Sequence, residues 1–263
     1  MSISRDCRRE SFPWFAVFSL VTVIALTPTA SSQTPRSAFA GPSNTNRPAD
    51  TVLLYDNFVK DTELNTNLWT TSSPFLTAIA NASDSPPPTF VPPVLVFGGK
   101  SGGMEMSGPN ENYQATGVQA LETFAPPFSV HMHVTPTSGE ANAFEIFLAS
   151  SDLTQFVTVS CNIASGYVWA NAPNVTLLWH FGEEFSPAIP AQLGAFYTIA
   201  VNVSAKGEAS IKIRDRQGVL LGTVSGLQAG GAGPFYLVLG EKIGSVTPTP
   251  LGTDWFSVKV IAE

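Results

Sequence analysis

Phe144-Glu145-Ile146-Phe147-Leu148 alternates: Phe144, Ile146 and Leu148 fall on one face of an extended strand, Glu145 and Phe147 on the other. One face is suited to a core and the other to water, a pattern that favours two packed sheets. Outward from this segment, short apolar or alternating runs broken by Gly, Pro, Asn and Asp continue from Thr51 to the end of the chain. The clearest are Val52 to Phe58, Val94 to Phe97, Gln114 to Phe124, Phe128 to Thr135, Ala143 to Ala149, Phe156 to Asn162 and Tyr167 to Asn171. They continue with Val175 to Phe181, Phe196 to Val203, Ala209 to Arg214, Val219 to Val224, Phe235 to Gly240 and Trp255 to Ile261. About thirteen such segments predict an all-β, two-sheet antiparallel β-sandwich. Helical periodicity is not sustained anywhere; Asp61 to Leu68 reads as a single helical turn capped by Asp61. The Pro-rich stretch from Ser85 to Pro93 reads as an extended surface loop, since proline cannot donate to a ladder.

The first 50 residues read differently. Arg5, Arg8 and Arg9 precede an uncharged apolar run from Phe12 to Leu26, the layout of a secretory signal, with cleavage expected after Ser32. The run is short for a membrane span, and Thr27-Pro28-Thr29 follows it in place of a basic cluster. Residues 33 to 50, rich in Ser, Thr, Pro and Asn, read as a flexible linker. The expected organisation is therefore a signal peptide over 1–32, a linker over 33–50 and one domain over 51–263, in a secreted, periplasmic or cell-surface protein with no membrane span after processing.

The chain carries a net charge of −7, which argues against a nucleic-acid partner, because phosphate binding needs a basic patch. Lys212, Arg214 and Arg216 are the nearest approach to one, and their alternating spacing reads as a solvated face. Cys7 leaves with the signal, so Cys161 remains without a disulfide partner and, within an apolar run, is expected to be a buried structural thiol.

Two segments resemble the concanavalin A-like lectin and glucanase superfamily. Leu54-Tyr55-Asp56-Asn57-Phe58 followed by Leu68-Trp69-Thr70 is similar to the opening of such domains, and Gly252-Thr253-Asp254-Trp255-Phe256-Ser257-Val258 to their closing strand. The resemblance implies a jelly roll over about residues 51 to 263, with the first and last strands side by side. It also implies a place for catalysis: laminarinase-type members carry Glu, Asp and Glu at alternate positions of one groove strand. The similar strand here matches Glu145 to the first carboxylate, with Phe147 and Ala149 in the other two places. A retaining mechanism needs two carboxylates about 5 Å apart, so that mechanism is not available on this strand, and no catalytic residue is assigned.

Sugar binding needs less, namely aromatic faces and a few orienting polar groups. Tyr167, Trp169, Trp179 and His180 supply suitable types, and His131 and His133 share one face of a third strand. His131, His133, Glu145 and Phe147 are expected to form part of one groove floor. The expected function is thus a non-catalytic glycan- or cell-surface-polymer-binding domain. A hydrolase or lyase with rearranged residues, and an adhesive envelope protein, are the alternatives. No cofactor is required by these residues, although relatives that hold a structural calcium place an acidic ligand where Asp254 stands, with Asp56 expected to approach it.

Overall fold

The computed structural model describes residues 51–82, 88–98, 102–107, 114–138, 142–163, 165–172, 183–231, 233–243 and 252–263. The expected signal, linker and Val175 to Phe181 strand, with Trp179 and His180, lie outside the described residues.

The chain begins with β1 (Thr51–Asp56) and β2 (Trp69–Thr70), then a helix, α1 (Pro74–Ala82). There follow β3 (Thr89–Phe90), β4 (Val94–Phe97), β5 (Met104–Ser107), β6 (Gln114–Phe124), β7 (Phe128–Ser138), β8 (Asn142–Ala149), β9 (Phe156–Asn162) and β10 (Tyr167–Asn171). The remaining strands are β11 (Glu183–Glu184), β12 (Tyr197–Val203), β13 (Glu208–Arg214), β14 (Leu220–Gln228), β15 (Phe235–Ile243) and β16 (Gly252–Ala262). The first sheet runs β14-β13-β12-β7-β16-β5-β4 with β1 also on β16, and the second runs β11-β10-β9-β8-β15-β6-β2 with β3 on β6. The two-sheet sandwich expected from the alternation is therefore present, and its first and last strands pair from Thr51↔Ala262 to Asp56↔Val258.

The inner faces interlock around Phe144, whose ring lies 6.0 Å from that of Tyr197 and 6.1 Å from that of Trp255. Ile146 and Leu148 of β8 are buried beside it, and Cys161 is buried in the same core, its thiol pushed up to about 12 by desolvation. The opening motif has a structural task. Asp56 ends β1 in the first sheet, Trp69 starts β2 in the second, and the Trp69 indole N–H donates to Asp56 Oδ2 at 2.6 Å inside the protein. That bond ties the sheets together at one edge.

Three local expectations are corrected. Asp61 to Leu68 forms no helix, whereas Pro74–Ala82 does. Its start has the required chemistry: Ser73 Oγ accepts the Leu76 N–H at 3.1 Å as an N-cap, and Pro74 occupies the first helical position, where a missing N–H does no harm. Phe75, Leu76, Ile79 and Ala80 make one buried face. Within the Pro-rich stretch, Thr89 and Phe90 pair in parallel with Gln114 and Ala115, so part of that segment extends the second sheet. Among the described residues, no helix is long and apolar enough to cross a membrane.

Candidate functional site

The outer face of the second sheet is the candidate site, and cross-strand register builds it. One row runs Gly117, Gly240, Glu145, Ser160, Trp169 across β6, β15, β8, β9 and β10. The next runs Gln119, Val238, Phe147, Thr158, Asn171. With strands about 4.8 Å apart, Glu145 and Trp169 stand about 10 Å from one another with Ser160 between them.

α1 divides this face. Phe75, Leu76 and Ile79 pack onto Phe147, Ala149, Phe156 and Val238 in a second apolar cluster separate from the main core. The Phe75 and Tyr236 rings approach to 4.5 Å, and Ser73 Oγ donates to Gln119 Oε1, fixing the helix start to β6. The face of β8 expected to be wet is therefore covered: Phe147 is only 6% exposed and Ala149 1%. Beside the helix a small cleft is lined by Leu76, Ile79, Phe90, Glu145, Phe147 and Gly240, among others. Its floor is low because Gly117 and Gly240 face each other across β6 and β15. A Cβ on Gly240 would meet Thr116 O at 2.9 Å, and one on Gly117 would meet Leu239 O at 2.8 Å.

Beyond the helix the face changes character. Tyr167 is 43% exposed and meets Trp169 edge-on at 5.9 Å. The Trp169 indole N–H donates to Ser165 Oγ at 3.1 Å, which fixes the ring plane. Asn171 and Thr158 are buried next to them, and Asn171 Oδ1 has no hydrogen-bond partner.

A laminarinase from Flavobacterium sp. UMI-01 superposes with a TM-score of 0.55 over 80% of this chain and 100% of its own, at 12% identity. The apo Crh5 transglycosylase gives 0.54 over 80% and 83% at 14% identity. Peanut lectin, solved with a nine-residue peptide, gives 0.53 over 79% and 96% at 11% identity. The fold is the concanavalin A-like jelly roll. Identities this low show a shared fold alone, and no protein-family model and no curated protein matches the chain.

Within this jelly roll, the residues singled out from sequence divide between two surfaces. Glu145, Phe147, Tyr167 and Trp169 share the outer face of the second sheet, as the registers above require. His131 and His133 do not join them. They belong to β7 in the first sheet, with Val130, Met132 and Val134 pointing into the core, so the two histidines face outward on the opposite side of the sandwich. The expectation of a common floor is corrected on that ground. His133 Nδ1 lies 3.1 Å from Ser257 Oγ, and burial lowers both histidines below the ordinary range, helped at His131 by Lys259.

The acidic pair is divided as well. Asp56 pairs with Val258, a core residue, and points inward to Trp69, whereas Asp254 pairs with Thr135 and Glu105 on the outward side. A calcium ion shared by both does not fit. Asp254 fits an ion ligand by itself: it is 1% exposed and, among the described residues, neither carboxylate oxygen has a hydrogen-bond partner. Desolvation, and then the charge of Glu105, raise its pKa to about 6. Among the described residues no three His, Cys, Asp or Glu side chains group together.

Proposed function

We propose that the chain is an exported, non-catalytic carbohydrate-binding domain that holds sugar on the part of the second sheet's outer face left open by α1. The observation that carries this reading is the exposed Tyr167, edge-on to Trp169 at the end of the row Glu145–Ser160–Trp169, whose own side chains are buried. An exposed aromatic ring held edge-on by a second one suits stacking on a pyranose ring. The fold is shared with proteins titled laminarinase, transglycosylase and lectin, and the N-terminal charge and hydropathy pattern supports export. Hydrolysis by paired carboxylates has no support on β8, where Phe147 and Ala149 stand beneath the helix in place of acids. Any structural calcium would be held at Asp254 and Glu105.

Affinity electrophoresis through gels containing laminarin, xyloglucan, mannan or xylan tests the reading. At least one neutral polymer should retard the protein, and Tyr167→Ala and Trp169→Ala should abolish the retardation while leaving the melting profile native. No retardation by any of them removes the proposal. Release of reducing sugar that Glu145→Gln abolishes would replace it with an enzyme.

A further inference from the structure

On the outer face of the first sheet, register aligns Tyr55, Lys259, His131, Ala200, Lys212 and Thr223 in one row across β1, β16, β7, β12, β13 and β14. Five strand spacings make the row about 24 Å long. The adjacent row on one side reads Ser257, His133, Thr198, Arg214. On the other side it reads Val52, Ile261, Ser129, Asn202, Ser210, Ser225, apolar beside Tyr55 and Lys259 and polar from β7 onward, with Ser129 buried. Arg216 follows in the next turn, its guanidinium 5.6 Å from the centre of the Phe196 ring, which packs on His133 and Phe256.

Four of the six Lys and Arg residues with described side chains, Lys212, Arg214, Arg216 and Lys259, belong to this one face of a protein whose net charge is −7. None of the four has a carboxylate partner among the described residues. Lys212, Arg214 and Arg216 are exposed, and so is Tyr55, at 55%. The carboxylates near the face are Glu208, Glu263, which acts on His131, Asp215 in the turn between Arg214 and Arg216, and Glu105 and Asp254.

We propose that this face binds a linear anionic polysaccharide laid across the strands, its carboxylate or sulfate groups on Lys259, Lys212 and Arg214 and a sugar ring on Tyr55. Cations in a straight row match a polymer whose charges repeat along its length. Asn202, Ser210 and Ser225, in the row beside Lys212, give the hydroxyls of a sugar chain hydrogen-bonding partners at strand spacing, which the headgroup plane of a membrane would not use. The site is independent of the one on the second sheet.

The test is retention of the full chain on immobilised heparin and its binding to soluble polygalacturonate at increasing NaCl. Both should bind at low salt and release as salt rises, because the contacts are charge pairs exposed to screening. The double variant Lys212→Glu/Arg214→Glu should weaken binding by about tenfold or more and flatten the salt dependence. Tyr55→Ala should weaken it with the salt dependence unchanged, and Tyr167→Ala should leave it as it is. Failure of the wild type to bind either polymer overturns the proposal. So does wild-type binding by the double variant with a native melting profile, or equal affinity for duplex DNA or for phosphatidylglycerol vesicles.

Discussion

Asp254 presents a buried carboxylate with no hydrogen-bond partner among the described residues, and replacing it by Asn should make the protein more stable at neutral pH. In the unfolded chain its pKa is 3.8; in the fold it is about 6. The folded state therefore binds more protons than the unfolded one between about pH 4 and pH 6, so stability falls as pH rises through that window and stays lost above it. Two pKa units at about 1.36 kcal/mol each set a ceiling near 3 kcal/mol at pH 8. The Asn amide is itself buried beside Glu105 and Thr135, so a gain of about 1–2 kcal/mol is expected. For a domain of this size that is a rise of roughly 3–6 °C in Tm. Differential scanning calorimetry from pH 3.5 to 8 in EDTA reads it: Asp254→Asn should melt higher than wild type at pH 8, converge with it below about pH 4, and show a shallower pH slope. Equal Tm values at pH 8 with unchanged slope would refute the reasoning. Millimolar calcium should raise the wild-type Tm at pH 8 and leave the variant's unchanged if the ion resolves the same charge.

Two further outcomes follow from the same geometry. Trp69→Phe removes the indole donor that offsets the desolvation of Asp56, whose pKa is already about 6. It should lower stability in urea by about 1–3 kcal/mol at pH 8 and by less at pH 4.5, where the folded state holds the carboxyl neutral. Gly240→Ala forces a methyl against Thr116 O, so a loss of about 1–3 kcal/mol is expected in the same urea assay. Recovery of wild-type stability in this variant would show that the β6–β15 approach tolerates a side chain.

The strand pattern was legible because alternation is local. Phe144, Ile146 and Leu148 had to share a face whatever they met, and Cys161 had to follow its apolar run inward. The helix was missed because it is short, although Ser73-Pro74 carried its start signal and Phe75, Leu76 and Ile79 its apolar stripe. Without it the outward face of β8 reads as wet. The Asp56 and Trp69 motif was visible as a resemblance, but its chemistry, a hydrogen bond between sheets, was not.

Residue order alone settled that this chain makes many strands and lacks two carboxylates on β8, since each of these depends on local period or on residue identity; the pairing of the first and last strands came only as what a resemblance implies. Tertiary structure alone decided that His131 and His133 face away from Glu145, that α1 lies across half of the candidate sugar face, and that Lys259 joins Lys212 in one row. A strand's own sequence fixes which residues share a face. Which sheet the strand enters, and which strand it meets, is fixed by long-range pairing that no local pattern encodes.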